Sequence, residues 1–224
     1  MKRKLDLIIF DLDGTLYPAN PELDRLYPEA AVRLLIKKTG GNPEKVKQEF
    51  LTKKAELKEQ LNGPPTSTLT LFYYYNIGFE EYENTLDAMI AVENFIAPDP
   101  QSIAVLRKIN RHYPIFLYTT NNEKVGMKIL QRLGLADFFP PQRRFTLTDA
   151  GRLRVPRREK LNYIKPGEKG FTRILELHNV PAERTLMVGD SEVSDIQPAQ
   201  KLGLHTYHVT DRQSFYRLPV WLRI

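Results

Sequence analysis

Leu5-Asp6-Leu7-Ile8-Ile9-Phe10-Asp11-Leu12-Asp13-Gly14-Thr15-Leu16-Tyr17 begins as a short apolar run and ends on two carboxylates and a glycine. A brief, mostly apolar run without polar alternation is the pattern of a strand buried on both faces of a parallel sheet. Three later runs repeat it: Ile115–Tyr118, Thr185–Val188 and the weaker His205–Val209. Helical spacing separates them. Asp99-Pro100 reads as a cap followed by proline at the first helical position, and Ile103, Leu106 and Ile109 follow on one face. Val125, Ile129 and Leu133 precede the helix stop Gly134, and Phe171, Ile174, Leu175 and His178 mark a further helix. Strands alternating with helices predict an α/β fold, a doubly wound parallel sheet with helices on both faces.

Residues 18–97 read differently, as successive helices with little strand signal. Asn20-Pro21-Glu22 caps a helix with Leu23, Leu26, Tyr27, Ala30, Ala31, Leu34 and Leu35 on one stripe, and Gly40-Gly41 ends it. Asn42-Pro43-Glu44 caps the next, with Val46, Phe50 and Leu57 inward, and Asn62-Gly63-Pro64-Pro65 breaks it. An aromatic cluster follows, Phe72 to Tyr75 with Phe79 and Tyr82. These rings suit either the packing of the helical block or stacking on a nucleobase or sugar. The expected organisation is an α/β core from 1–17 and 98–224, with an all-helical cap of 18–97 inserted after the first strand.

The 224-residue chain is 42% hydrophobic and 27% charged, which suits one domain with a modest insertion. It has no cysteine, so disulfides, thiolate metal sites and cysteine nucleophiles are excluded. No run approaches the length of a membrane span. Met1-Lys2-Arg3-Lys4 has the charge of a signal n-region, but Asp6, Asp11 and Asp13 interrupt the apolar stretch behind it, so a soluble cytoplasmic protein is expected. The net charge of +6 is local: residues 143–173 hold ten basic side chains against three acidic ones. Such a span suits an anionic partner, a phosphorylated metabolite or nucleic acid, or is a solvated basic loop. No recognised nucleic-acid motif accompanies it.

In open α/β sheets ligands bind beyond the carboxyl ends of the strands. Asp11 and Asp13 leave the first strand there, and Gly14 allows close backbone approach or positive φ. Two carboxylates so placed can divide labour, one attacking a phosphorus atom and the other protonating the departing oxygen.

Asp11-Leu12-Asp13-Gly14-Thr15 resembles the first motif of the haloacid dehalogenase superfamily, and three further motifs of that family follow in order. The strand Ile115–Tyr118 ends in Thr119-Thr120-Asn121, Lys165-Pro166-Gly167-Glu168 opens a helix, and Gly189-Asp190-Ser191-Glu192-Val193-Ser194-Asp195-Ile196 follows a strand. The resemblance spans residues 5–210. It implies Asp11 as nucleophile, Asp13 as acid and base, and Lys165 as the cation that offsets charge on Asp11 and the phosphoryl oxygens. Phosphate would be held by Gly14, Thr119 or Thr120, Asn121 and Lys165. Thr119 is preferred because it continues the strand directly, although the Thr120-Asn121 pair matches the family's usual dipeptide. The implied cofactor is Mg2+, an oxygen-liganded cation, held by Asp11, the Asp13 carbonyl and Asp190, with Asp195 as a direct ligand or a support beside it.

Within the superfamily, Asp13 points to phosphatases and phosphomutases, since dehalogenation needs no second carboxylate. Asp-Gly-Thr-Leu-Tyr-Pro, the early helical insertion, Asp99-Pro100 and Leu135-Ala136-Asp137-Phe138-Phe139 resemble the pyrimidine 5'-nucleotidase branch, from which residues 62–70 depart. The expected activity is hydrolysis of a small phosphate monoester, a nucleoside monophosphate or sugar phosphate, by a monomer or homodimer. The alternatives are a phosphomutase and a non-catalytic protein that binds anions or nucleic acid.

Overall fold

The computed structural model describes residues 4–61 and 65–224. Five parallel strands form one sheet: β1 (Leu7–Phe10), β2 (Ile115–Tyr118), β3 (Arg144–Phe145), β4 (Thr185–Gly189) and β5 (His205–His208), in the order β3-β2-β1-β4-β5. The register sets Ile9 against Phe116 on one side and Met187 on the other. The residues of β1, β2 and β4 are all buried, as a central parallel strand requires. Alternation then sends Ile8, Phe10, Ile115, Leu117, Leu186 and Val188 to one apolar cluster. Leu7, Ile9, Phe116, Tyr118 and Met187 join the other.

After β1 come four helices: α1 (Pro21–Thr39), α2 (Pro43–Leu61), α3 (Ser67–Tyr75) and α4 (Phe79–Met89). Asn20 caps α1 through its side chain, and Gly40 closes it at φ 65°, the left-handed conformation that suits glycine. The predicted break after α2 at Asn62–Pro64 lies outside the described residues. The chain then returns to the sheet through α5 (Pro100–Asn110), α6 (Glu123–Leu133), α7 (Leu147–Arg152), α8 (Glu168–His178), α9 (Gln197–Lys201) and α10 (Arg212–Trp221).

Apolar packing runs continuously between insertion and sheet. Leu23, Ala30 and Tyr82 share one cluster with Ile8 and Phe10. Leu57, Leu69 and Phe79 share the other with Ile9 and Phe116. Polar contacts fasten the same join. The buried Glu83 of α4 accepts from the Lys124 backbone N–H and from the Thr148 hydroxyl, both at 2.8 Å. Thr148 in turn accepts from the Glu123 N–H at 3.0 Å. The first turn of α6 is therefore capped from outside its own chain segment, and Asn122 makes no side-chain cap bond.

Several elements have no counterpart in the sequence reading. β3 is two residues long, too short to show periodicity. The segment Glu192–Ile196 forms a π-helical turn. The C-terminal stretch forms α10, whose Phe215 and Leu218 are buried.

Candidate active site

Asp11 follows β1 directly, and its N–H donates to the Val188 carbonyl at 2.9 Å, continuing the ladder to β4. The carboxyl ends of β1 and β4 are thereby held side by side, which brings Asp11 to Asp190 and Asp195. Oxygens of these three carboxylates lie within 4.8 Å of one another. Lys165 reaches in from the loop before α8 and places Nζ 2.6 Å from both Asp11 Oδ1 and Asp195 Oδ1. The Lys165 side chain is 2% exposed. Burial pulls its pKa down, but Asp11 and Asp195 outweigh that and the net shift is upward. The ammonium therefore stays charged. Burial also raises Asp11, with Lys165 opposing, and raises Asp190, with Asp195 adding to it. Three crowded carboxylates facing one ammonium leave unbalanced negative charge, which favours a cation.

Two glycines permit the approach. Gly14 has φ 80°, and a Cβ there would sit 2.2 Å from Asp190 Oδ2. A Cβ on Gly189 would sit 2.3 Å from Asp195 Oδ2. Thr15, fully buried, donates from Oγ1 to Asp190 Oδ1 at 3.3 Å. Asp195 is engaged on both oxygens, by Lys165 and by the Ser191 N–H at 3.1 Å.

Asp13 stands beside this cluster on the insertion side. It accepts hydrogen bonds from the Tyr17 hydroxyl and from Asn121 Nδ2, the latter at 3.1 and 3.3 Å. Tyr27 of α1 donates to Asn121 Oδ1 at 3.1 Å, which fixes the amide orientation. Burial raises the Asp13 pKa, and the bonds from Tyr17 and Asn121 oppose it. Asn121, expected at the phosphate, is thus engaged with Asp13. Thr119 is buried, and its Oγ1 accepts from the Asn121 N–H at 3.0 Å. Thr120 instead lines the cavity next to Asp13. Neither Tyr17 nor Tyr27 stands out in sequence as a site residue. The nearest signal is a phenol four residues beyond Asp13.

That cavity has a volume of about 330 Å³, between the insertion and the ends of β1 and β2. Asp24, Lys54, Thr66 and Thr68 line it from the insertion, and Asp13 and Asn122 from the core. The aromatic run of α3 lies elsewhere. Phe72 packs on Phe79 at 4.7 Å, Tyr73 on Tyr74 at 5.3 Å and Tyr75 on Phe50 at 6.4 Å. Among the described residues these rings serve the packing of the insertion. The basic span is partly neutralised from outside itself: Arg144 and Arg152 pair with Glu123, and Arg152 also with Glu80.

Several known proteins resemble this chain. A phosphoglycolate phosphatase from Neisseria gonorrhoeae is 26% identical over 209 residues, covering 91% of this chain and 79% of that protein. A solved HAD phosphatase from Thermococcus onnurineus is 21% identical and superposes with a TM-score of 0.62, covering 97% of this chain and 98% of the other. The HAD-hydrolase YfnB from Bacillus subtilis, solved bound to magnesium, is 20% identical with a TM-score of 0.56 over 99% and 100% of the two chains. The family model of the haloacid dehalogenase-like hydrolases matches residues 5–203. With four motifs meeting at the ends of adjacent strands and a family match over most of its length, the chain belongs to the haloacid dehalogenase-like hydrolases.

Proposed function

We propose that the protein is a Mg2+-dependent phosphatase that hydrolyses a small phosphate monoester through an aspartyl-phosphate on Asp11. The observation that carries this reading is the pairing of two environments within one loop. Asp11 lies against Lys165, Asp195 and Asp190, whereas Asp13 lies apart, held by Tyr17 and Asn121. Two carboxylates in different environments divide acid and nucleophile roles.

An Asp11 oxygen attacks phosphorus while the bond from phosphorus to the ester oxygen breaks, and Asp13 gives that oxygen a proton. The upward shift of Asp13 is the direction a proton donor needs. A water then attacks phosphorus of the aspartyl-phosphate, Asp13 takes its proton, and inorganic phosphate leaves with the Asp11 carboxylate restored. Lys165 offsets charge on Asp11 and on the transferring group. Thr119 or Thr120 and nearby backbone N–H groups hold the phosphoryl oxygens.

The residues present fit a hard cation: the donors are oxygens only, and the glycine cradle keeps Asp190 clear. Asp11, Asp190 and the Asp13 carbonyl would hold Mg2+, with Asp195 supporting through Lys165 and the Ser191 turn. The bound ion supplies charge compensation for the approach of a carboxylate to a phosphate dianion. YfnB, solved with magnesium, supports the same assignment.

The helical insertion acts as the cap, excluding water and meeting the leaving group. Asp24, Lys54, Thr66 and Thr68 in the cavity wall support a hydroxylated or charged leaving group, such as a sugar, above a stacked nucleobase. A panel of sugar phosphates, nucleoside monophosphates and phosphoglycolate, the last suggested by the name of the Neisseria gonorrhoeae relative, tests the reading by phosphate release. Turnover of at least one ester, lost with EDTA and restored by Mg2+, is expected. Metal-independent turnover contradicts the metal assignment, and no turnover of any ester contradicts the phosphatase reading.

A further inference from the structure

The C-terminal helix enters the site through one side chain. Arg212, the first residue of α10, donates from Nη1 to the Thr15 carbonyl at 2.7 Å. Its Nη2 donates to Asp99 Oδ2 at 3.1 Å and to the Ser102 hydroxyl. The guanidinium stacks on Phe215 and Tyr216, with centroids 4.7 and 5.2 Å from Cζ. Thr15 is the second residue after Asp13, and its own hydroxyl meets Asp190. Asp99 caps α5 at the point where the chain returns from the insertion.

Arg212 therefore grips both chain crossings between insertion and core, at their core ends. A second tie, from Asn20 Nδ2 to the Phe95 carbonyl at 3.0 Å, joins the same two crossings nearer the insertion. The planar fork suits this task, since it presents parallel donors at fixed separation while its face stacks on aromatic rings. The arrangement also has a cost: Arg212 Nε is buried without a partner among the described residues. Local costs of this kind collect at functional sites.

We propose that Arg212 is a positioning residue that fixes the 13–15 turn, and with it the Asp13 carboxyl, relative to the phosphoryl site. This rests on the reading of Asp13 as the proton donor. Leaving-group dependence distinguishes this positioning role from a merely structural one. An alkyl phosphate expels an alkoxide and needs the proton from Asp13, whereas p-nitrophenyl phosphate expels a phenolate that leaves without it. Misplacement of an acid by about 1 Å costs about 100-fold.

The experiment measures kcat/KM for one alkyl phosphate found in the panel and for p-nitrophenyl phosphate, in the wild type, Arg212→Ala, Arg212→Lys and Asp99→Asn, well below each melting temperature. Arg212→Ala should lower the alkyl-to-aryl ratio by about 100-fold, and Arg212→Lys, which keeps one donor toward Thr15, should recover part of it. Asp99→Asn, which loses stability but keeps an acceptor for Arg212, should hold the wild-type ratio. Equal losses for both esters in Arg212→Ala, or a ratio that falls as far in Asp99→Asn, overturn the proposal. An Arg212→Ala protein that does not fold leaves the test to Arg212→Lys, whose ratio must then fall below wild type. A wild type inactive on every ester overturns the phosphatase reading itself, and the positioning role falls with it.

Discussion

Gly14 carries two constraints in one position. Its φ of 80° disfavours any side chain, and its missing Cβ leaves the space in which Asp190 sits. Gly14→Ala is expected to lose about 1–2 kcal/mol from the left-handed backbone alone and to displace Asp190 as well. Isothermal titration should show weakened Mg2+ binding. A variant that binds Mg2+ as the wild type does would mean that Asp190 is free to move aside. Residues of this kind are legible in sequence because their chemistry is tied to a strand end: Asp11, Asp13, Gly14 and Asp190 each follow an apolar run within a few positions. Tyr17, Asn121 and Arg212 owe their roles to contacts that no spacing shows. The hydrogen bond from Arg212 to Thr15 spans 197 residues. Asn121 is a strand-end amide in sequence and a clamp on Asp13 in space.

The start of α5 shows how a cap becomes a junction. Asp99 accepts from the N–H groups of Gln101 and Ser102 at 3.0 and 3.2 Å, which the Asp-Pro dipeptide predicts. It also accepts from Ser102 Oγ at 2.6 Å, Tyr216 at 2.7 Å and Arg212 at 3.1 Å, which ties α10 to α5. Partial burial would raise its pKa, but the bonds from Ser102, Tyr216 and Arg212 prevail and hold it down to about 2. A pKa depressed in the folded state adds stability above the unfolded value of 3.8, and that stability is lost as pH falls toward 2. Asp99→Asn should therefore lower the melting temperature at neutral pH and show a smaller further loss between about pH 4 and 2 than the wild type. Parallel acid melts in the two proteins would contradict the assignment. The helix itself was legible from its cap and periodicity. The aromatic and guanidinium partners come from α10, where a proline at position 219 and dispersed apolar residues conceal a helix. β3 and the π-helical turn escaped because two residues and one irregular turn carry no period.

On the scale of the molecule, the distribution of charge adds to the geometry of the site. Arg154, Arg157 and Arg158 remain exposed in the loop that leads to Lys165, although neighbouring arginines are matched by Glu80 and Glu123. A positive approach of this kind raises the encounter rate of a phosphate dianion, so kcat/KM should fall with added salt, and less steeply after Arg154, Arg157 and Arg158 are replaced by glutamine. A flat profile in the wild type would assign the span to solvation alone. No helix among the described residues is long and apolar enough to cross a membrane. The centre of the sheet was legible because the buried strands β1, β2 and β4 are each a short, mostly apolar run. The contacts that seat the insertion on the core were not, because Glu83 caps a helix forty residues away in the chain. In the proposed reaction Asp11 carries the phosphoryl group between its two transfers. Acid quench of the enzyme during turnover, followed by peptide mass spectrometry, tests it directly. One phosphoryl group is expected on the peptide containing Asp11, absent from Asp11→Asn, which should be folded and inactive. Phosphate release with no phosphoryl group on the protein, or with the group on any other residue, would contradict it.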